Sequence, residues 1–281
     1  MEEKALARAV ESIAMAEALL IGAGAGMGVD SGLPDFRGSS GFWRAYPVYA
    51  RLGLNFEEMA NPAWFRQDPQ MAWGFYGHRL NLYRSTIPHP GFQILQSWGE
   101  RMPAGIFIFT SNVDGQFHQA GFKPEQIEEV HGAIEWLQCT RNCGIGIFPA
   151  GPEEIEVDLE TMRATGPLPA CPGCAALARP NILMFNDWDW DESRTRVQSQ
   201  RRQTWLESLR QSRTRPVVIE IGAGTAVPTV RYFCEEIAQQ SGGTLIRINL
   251  RQPAVPAGQI GLEAGALDAL QKLDERLQKL K

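Results

Sequence analysis

The sequence predicts an α/β protein built on a doubly wound parallel sheet, and three observations support this fold class. Short apolar runs rich in Ile, Val and Phe end in glycine, turn or polar residues, as buried strands do. Segments with helical periodicity separate these runs, and strands that alternate with helices form parallel sheets. The most unusual motifs follow the ends of the runs, where such sheets bind ligands. We therefore expect a Rossmann-like domain whose ligand lies at the carboxyl ends of its strands.

The apolar runs and the helical patterns give the order of the elements. Five buried strands are predicted, at Leu19–Ile21, Gly105–Phe109, Ile182–Phe185, Val217–Ile221 and Thr244–Ile248. Six helices are predicted around them, at Glu3–Ala16, Met71–Tyr83, Phe92–Trp98, Thr204–Gln211, Val230–Gln239 and Gly261–Leu280.

Two stretches interrupt this alternation and are interpreted as insertions that form a smaller domain. Residues 39–85 are aromatic-rich and mainly helical, and residues 136–178 carry two cysteine pairs among Gly and Pro. The first is expected to be a helical module and the second a zinc-ribbon module. The Rossmann-like domain then comprises residues 1–38, 86–135 and 179–281. A chain of 281 residues is long enough to bury one large core and a smaller second one.

Composition indicates a globular protein, with 44% hydrophobic and 21% charged residues. The net charge of -5 argues against a general nucleic-acid or anionic-membrane surface, and it is compatible with a basic peptide substrate. No apolar run approaches the roughly 20 residues that span a bilayer. The chain opens with Glu2 and Glu3, whereas a secretory signal opens with basic residues. We therefore expect a cytoplasmic location and no membrane or nucleic-acid partner.

A glycine-rich segment at residues 22–38, GAGAGMGVDSGLPDFRG, directly follows the first predicted strand. Glycines let backbone N–H groups come close to phosphate oxygens, so a glycine run between a strand and a helix can hold a phosphate. A glycine run by itself also occurs in tight turns that bind nothing.

Candidate recognition and catalytic residues follow the second predicted strand. Asn112 and Asp114 place an amide and a carboxylate at a strand end, which suits a carboxamide ligand because that group both donates and accepts. The same residues could instead cap a helix. His131, followed by Gly132, is a candidate base because imidazole exchanges protons near neutral pH. His118 is interpreted as a packed helix residue.

Four of the five cysteines form two close pairs, Cys139-x3-Cys143 and Cys171-x2-Cys174. Two such pairs can supply four thiolates to a tetrahedral zinc ion, and sites closed in this way are structural. Four buried free thiols are the alternative. Cys234 lies in a helical pattern and is interpreted as a core residue.

Six motifs, in the same order along about residues 15 to 275, resemble those of the sirtuin family. The glycine-rich segment resembles G-A-G-I-S-x-x-S-G-I-P-D-F-R-G, and Thr110–Gly121 resembles T-Q-N-I-D-x-L-H-x-x-A-G. The His131-Gly132 step and the cysteine tetrad follow in family order. Arg179–Asp187 resembles R-P-x-V-V-x-F-G-E, and Gly222–Val227, with Asn249 after it, resembles the segment that contacts NAD phosphates and ribose.

This resemblance implies an NAD-dependent lysine deacylase, in which NAD is a co-substrate and an acyl-lysine protein or peptide is the partner. It implies that NAD is bound by Gly24, Ala25, Gly26, Asp35, Phe36, Arg37, Asn112, Asp114, His131, Gly222, Gly224, Thr225 and Asn249. It makes His131 and Asn112 the catalytic residues, with His131 taking a proton from a ribose hydroxyl after the acyl oxygen has displaced nicotinamide. It implies structural Zn2+ at the four cysteines, and a peptide paired as an added strand with Ile182, Met184 and Phe185.

Tyr76 and Arg79 suggest which acyl group is accepted. Residues three apart share a helix face, and a phenol beside a guanidinium suits a carboxylate. The spacing and position resemble the pair found in sirtuins that accept succinyl, malonyl or glutaryl lysine. The alternative is an aromatic helix packed on the core with a solvated arginine.

Several departures from the family pattern leave other functions open. Gly28 and Ser111 replace Ser and Gln, and Asn186 replaces a Gly. A protein ADP-ribosyltransferase or NAD glycohydrolase on the same fold is therefore a second hypothesis, and a non-catalytic NAD or ADP-ribose-binding module is a third. The Trp188–Asp191 segment is expected either to cover the acyl-lysine tunnel or to pack on the surface.

Overall fold

The structure, a computed structural model, describes residues 2–34 and 38–280, without the side chains of residues 38–40. In chain order the strands are β1 (Leu19–Ala23), β2 (Ile106–Thr110), β3 (Ile127–Glu129), β4 (Gly132–Cys139), β5 (Ile147–Pro149), β6 (Val157–Asp158), β7 (Arg163–Ala164), β8 (Ala178–Ile182), β9 (Val217–Ile221), β10 (Thr244–Ile248) and β11 (Ile260–Leu262). The α-helices are α1 (Glu3–Ala14), α2 (Gly38–Ala45), α3 (Pro47–Arg51), α4 (Phe56–Met59), α5 (Trp64–Gln67), α6 (Pro69–Ser85), α7 (Gly91–Arg101), α8 (Gln116–Gln119), α9 (Ser193–Ser212), α10 (Thr229–Ser241) and α11 (Ala266–Gln278).

Six strands form a parallel sheet in the order β11-β10-β9-β1-β2-β3, which confirms the predicted fold class. All five residues of β1, β2 and β9 are buried, as expected of strands covered on both faces. Apolar residues of α1, α7 and α11 pack on one face of the sheet. Those of α10, together with two from α9, pack on the other face.

The predicted strand at Ile182–Phe185 is wrong in both bounds and partner. The strand there is β8, which ends at Ile182 and pairs antiparallel with β4 in a separate three-stranded sheet, β5-β4-β8. A short apolar run shows that a strand is buried, but it does not show which sheet it joins.

Two strands of the main sheet, β3 and β11, were missed because each has only three residues. β3 also carries Glu128 and Glu129, and its acidic residues hide the strand pattern. The helix predicted to begin at Thr204 begins at Ser193, because α9 packs its polar first half against the charged edge of β3.

A second core lies between the short helices α2–α6 and the small sheet. It is rich in aromatic side chains, among them Phe42, Tyr46, Tyr49, Phe65, Trp73, Phe75 and Tyr76. The indole of Trp73 donates to the carbonyl oxygen of Ala178 at 2.9 Å, which ties α6 to β8. This packing accounts for the aromatic composition of the first insertion, while the division of the chain into domains stays a prediction.

Among the described residues, no helix is long and apolar enough to cross a membrane.

Candidate functional site

The predicted site residues follow the carboxyl ends of five adjacent strands. In a parallel sheet these ends share one edge, so the strand order β10-β9-β1-β2-β3 sets the order of the loops along a cleft. Asn249 follows β10, Gly222 follows β9, Gly24 follows β1 and Ser111 follows β2. His131 comes two residues after β3.

The glycine loops after β1 and β9 pack backbone against backbone. The N–H of Gly26 donates to the carbonyl oxygen of Gly222 at 3.1 Å. A Cβ on Gly26 would lie 2.6 Å from the Cα of Gly222. Gly222 has φ +64, and a Cβ there would lie 2.4 Å from Gly26. Close approach of the two backbones therefore requires glycine at both positions. The loop after β1 continues as two 3-10 turns, Ala25–Met27 and Val29–Ser31, and not as an α-helix.

Asn112 joins the loop after β2 to the loop after β1. Its side-chain amide donates to the carbonyl oxygen of Gly24 at 3.0 Å. Its backbone N–H donates to the hydroxyl of Thr110 at 3.0 Å, and that hydroxyl donates to the carbonyl oxygen of Ala23 at 3.1 Å. The predicted catalytic amide therefore has a fixed orientation beside the glycine loop.

Asp114 lies buried two residues further along, where its carboxylate accepts the N–H of Gln116 at 3.0 Å. Burial raises the pKa of Asp114 to about 6, although that hydrogen bond lowers it and nearby Glu129 raises it further. Close to neutral pH this carboxyl group can be present as an acceptor or as a donor, the two functions that a carboxamide ligand requires.

His131 is half-buried at the end of this series, and its environment keeps the imidazole neutral. Burial lowers its pKa below the ordinary value, and a hydrogen bond with the backbone of Ser111 opposes this only in part. Gly132 has φ +77, and a Cβ there would lie 2.0 Å from the carbonyl oxygen of Asn181. Only glycine fits directly after His131, because β4 and β8 meet there.

A buried charged network, which the sequence analysis missed, holds the chain just before His131. The carboxylate of Glu129 accepts from Arg194 at 2.5 Å and lies 3.4 Å from the ring of His118. The hydroxyl of Thr195 donates to the backbone oxygen of Glu129, and the backbone N–H of Glu129 donates to the side-chain oxygen of Gln198. Although burial raises the pKa of Glu129, His118 and Arg194 bring it below its ordinary value. His118 therefore faces a carboxylate and does more than pack.

The loop after β9 is held against the loop after β10. Asn249 is buried, and its amide donates to the carbonyl oxygen of Ala223 at 2.8 Å. Gln252 donates to the hydroxyl of Thr225 at 2.9 Å. Arg231 donates to the carbonyl oxygens of Ala223 and Gln252 and was missed, because one arginine in a helical pattern gives no sequence signal. Gly224 is half-buried between these contacts.

The expected peptide-binding segment lies beside His131 but is mostly outside a strand. Ile182 ends β8, Met184 is buried and Phe185 is half-buried. The backbone N–H groups of residues 183–185 donate to His131, Asp187 and Ala60. Their role in binding a peptide stays a prediction, since an added strand would gain mainly carbonyl acceptors here.

Asn186 adopts the left-handed conformation, with φ +56. Asparagine tolerates this conformation better than most residues other than glycine, so it can occupy a position where the family pattern has Gly. The ion pair between Arg179 and Asp187, with contacts of 2.7 and 2.8 Å, is buried and closes the same turn.

Tyr76 and Arg79 are both buried on α6, which excludes the solvated arginine of the alternative interpretation. Arg79 donates to the phenol oxygen of Tyr83 from two nitrogens, at 3.0 and 2.8 Å, and lies 5.7 Å from the ring centroid of Tyr76. The Tyr76 hydroxyl is buried with no hydrogen-bond partner among the described residues. Whether the pair binds an acyl group stays a prediction.

Asp35, Phe36 and Arg37, which the sequence analysis assigned to NAD, lie outside the described residues.

Comparisons with known proteins identify the family. The model of the Sir2 family matches residues 24–206, about two thirds of the chain. The chain belongs to the Sir2 family. It is 30% identical over 258 residues to an NAD-dependent protein deacylase of Pyrococcus furiosus, with 92% of each chain covered. It is also 30% identical over 227 residues to one of Leptospira interrogans, covering 80% of this chain and 78% of the relative.

Solved structures show the same fold for this Sir2-family chain. One, from work described as "The Structural basis of Sirtuin Substrate Affinity", superposes with a TM-score of 0.65 at 21% identity and covers 98% of this chain and 99% of the other. Another, described as "Structural Basis for the Mechanism and Regulation of Sir2 Enzymes", has a TM-score of 0.62 at 21% identity, covering 100% and 99%.

The four paired cysteines of this Sir2-family chain form one cluster that fits a structural zinc ion. The sulfur of Cys139 lies 3.6 Å from that of Cys174, and the sulfur of Cys143 lies 3.5 Å from that of Cys171. All four sulfurs lie within 4.8 Å of one another. Tetrahedral zinc with bonds of about 2.3 Å needs sulfurs about 3.8 Å apart, so this donor set suits zinc. The longer first knuckle does not prevent the site from closing.

Asp114→Asn is expected to stabilise the fold by about 2 kcal/mol at pH 7.5, because the native carboxyl ionises there against its own burial. Because the pKa of Asp114 is about 6 in the folded state and about 4 in the unfolded state, the gain in the free energy of unfolding is largest above about pH 6 and disappears as the pH falls toward about 4. Urea unfolding at pH 7.5 and pH 5 measures the change. Asp268→Asn, at an exposed position on α11, is the control, and an equal gain in both variants would contradict the burial argument.

Cys143→Ser is expected to abolish zinc binding and to lower the melting temperature, since a hydroxyl is a poor replacement for a thiolate ligand. Cys143 is exposed, so the loss cannot be attributed to a core cavity. Elemental analysis of the purified protein gives the zinc content. The buried Cys234, changed to Ala, should keep one zinc per chain; full zinc occupancy in Cys143→Ser would exclude the four-thiolate site.

Proposed function

We propose that this chain is an NAD-dependent protein lysine deacylase, which releases nicotinamide and transfers the acyl group to ADP-ribose. The observation that carries the proposal is the unbroken series of contacts along the cleft. It runs from Asn112 to Gly24, through the packed glycine loops to Ala223 and on to Asn249, and His131 lies two residues after the neighbouring strand β3. The names of the Pyrococcus and Leptospira relatives, both NAD-dependent protein deacylases, support the same activity.

Each group in the cleft fits a separate task in this reaction. The glycine loops bring backbone N–H groups to the diphosphate, and Asn249 with Thr225 lies at the adenosine end. Asp114 and Asn112 face the nicotinamide end, where a carboxyl and an amide can bind the carboxamide. Bound NAD would supply the sugar carbon that the acyl oxygen attacks as nicotinamide leaves. His131, neutral because of its burial, accepts the proton of the ribose hydroxyl.

His131→Asn is expected to lower peptide deacylation by about 100-fold or more, the usual effect of losing a general base. The protein is incubated with NAD and an acetyl- or succinyl-lysine peptide, and the release of nicotinamide and the mass of the peptide are measured. His78→Gln is the control, since His78 is half-buried and contacts the hydroxyl of Tyr46.

In the native protein, deacylation should persist at pH 6.5, because a lowered pKa keeps His131 neutral there.

The same assay distinguishes the two other hypotheses. Nicotinamide release without peptide, or a peptide that gains ADP-ribose, would indicate a glycohydrolase or an ADP-ribosyltransferase. Bound NAD without any turnover would indicate a binding module. Only nicotinamide release that depends on the peptide, together with loss of the acyl group, agrees with the deacylase.

We further propose that Tyr76 and Arg79 favour acyl groups that carry a carboxylate, such as succinyl or malonyl. A guanidinium that is buried among Phe75, Tyr76 and Tyr83 is weakly hydrated, so a carboxylate that reaches it forms a strong charge-assisted pair. The Tyr76 hydroxyl, for which the described part of the chain offers no hydrogen-bond partner, would donate to the same carboxylate.

Arg79→Met is expected to lower kcat/KM for a succinyl-lysine peptide at least tenfold more than for the matched acetyl-lysine peptide. The difference arises because only the succinyl group has a charge for Arg79 to pair with. Tyr83→Phe, which removes the hydroxyl that Arg79 contacts but keeps the charge, serves as the comparison. Equal losses on the two peptides would show that Arg79 has only a packing role.

We propose a cytoplasmic, reducing location for the protein. The four clustered cysteines bind zinc as thiolates, which an oxidising compartment would tend to convert into disulfides.

A further inference from the structure

The segment that follows the Arg179–Asp187 ion pair carries an exposed aromatic ring. Trp188 is 92% exposed, the highest value among the large apolar side chains that the structure describes. It belongs to the run Asp-Trp-Asp-Trp-Asp-Glu at residues 187–192, which contains four acidic residues and no basic one. We call residues 188–191 the Trp-Asp loop.

The Trp-Asp loop is held firmly, so the exposure of Trp188 does not result from a loose backbone. Gln138 on β4 donates to the backbone oxygen of Asp189 at 2.7 Å and accepts the N–H of Asp191 at 3.1 Å. Asn181 on β8 donates to the backbone oxygen of Asp191 at 2.8 Å. Tryptophan is among the residues that contribute most to binding once a partner covers them, and a fixed loop presents it at a small entropy cost.

A cavity of about 380 Å³ lies between the Trp-Asp loop and the first cysteine knuckle. Its walls include Trp188, Asp189, Trp190, Cys139, Cys143 and Asn142. The indole N–H of Trp190 is buried with no acceptor among the described residues. Because that N–H is buried, the cavity offers a ligand the exposed indole of Trp188 and the carboxylate of Asp189 instead.

The charged side chains that line this cavity, those of Asp189 and Asp191, are acidic. Asp189 is largely exposed and lies 3.9 Å from the exposed guanidinium of Arg66, at the limit of an ion pair. No basic side chain is among the residues described as lining the cavity. Four thiolates around one divalent zinc ion would leave a charge of about -2 on the opposite wall.

We propose that this cavity binds a lysine or arginine side chain of the same peptide whose acyl-lysine enters the cleft. The inference rests on the proposed deacylase function and adds a second point of substrate recognition to it. The cation lies over the indole face of Trp188 and near the carboxylate of Asp189. An exposed tryptophan with acidic neighbours suits a cation better than an apolar side chain.

The distance along β4 indicates which substrate residue reaches the cavity. Gly132 adjoins His131, and Cys139 at the other end of β4 lines the cavity. Seven residues of strand cover roughly 20 Å, slightly less with the irregularity between Ala133 and Leu137. An extended peptide covers this span in about six residues. Fewer residues are needed when a long basic side chain covers part of the distance. The basic residue is therefore expected about three to six positions from the acyl-lysine, on one side only.

The test is a set of acetyl-lysine peptides in which one arginine is moved from position -6 to +6 in a neutral sequence. Fluorescence anisotropy with ADP-ribose present measures binding, and steady-state kinetics gives KM and kcat. For the native protein we expect KM to fall about tenfold at one or two positions three to six residues from the acyl-lysine, with kcat unchanged. Tenfold corresponds to about 1.4 kcal/mol. The preference should weaken as salt is raised.

Two variants assign this preference to the loop. Trp188→Ala and Asp189→Asn should each remove most of it and leave turnover of the neutral peptide unchanged. Tyr232→Ala is the matched control, because Tyr232 is an exposed aromatic residue on α10, with 67% of its surface accessible. Turnover of the neutral peptide reports the deacylase activity separately from the cavity.

The outcomes separate the two proposals. If the neutral peptide is deacylated but arginine helps at no position, or still helps equally in Trp188→Ala, the cavity does not bind the peptide. If no peptide is deacylated but the anisotropy preference remains, the cavity proposal stands and the deacylase proposal fails. Light scattering compares the mass of the native protein in solution with that of Trp188→Ala. If only the native protein self-associates, Trp188 mediates contact between copies of the chain, and the peptide assignment is overturned.

Discussion

The close contact between two backbone loops underlies the whole cleft. Gly26 and Gly222 approach so closely that a methyl group on either would collide with the backbone of the other. This contact fixes the end of β1 against the end of β9, and Asn112 and Asn249 then attach the neighbouring loops through backbone oxygens. The contact between the glycine loops is backbone against backbone, whereas the two neighbouring loops depend on the side-chain amides of Asn112 and Asn249.

Function at this edge conflicts with stability at two ionisable residues. Burial raises the pKa of Asp114 and lowers that of His131, so the charged form of each group is disfavoured relative to water. Folding alone does not require either group in these positions. The proposed reaction accounts for their placement, since a neutral imidazole can accept a proton and a carboxyl that titrates near neutrality can bind an amide.

Helix α9 connects parts of the molecule that are distant in sequence. It starts directly after the Trp-Asp loop, and its first turns hold Glu129 by side chain and by both backbone groups, two residues before His131. β4 runs from His131 to the zinc cluster, and Gln138 near its end holds the Trp-Asp loop. The cysteine cluster, the loop and His131 therefore share one continuous framework of strands and hydrogen bonds.

The sequence by itself determined the fold class, the family resemblance, the cysteine cluster and the loops that form the cleft. These features depend on local patterns: apolar strand runs, glycines where backbones must meet, and paired cysteines. Only the tertiary structure decided that β8 belongs to the small antiparallel sheet, that β3 is a strand despite two glutamates, and that Arg194, Arg231 and Gln252 support the site. Those outcomes arise from contacts between residues far apart in the chain, which neither periodicity nor local spacing records.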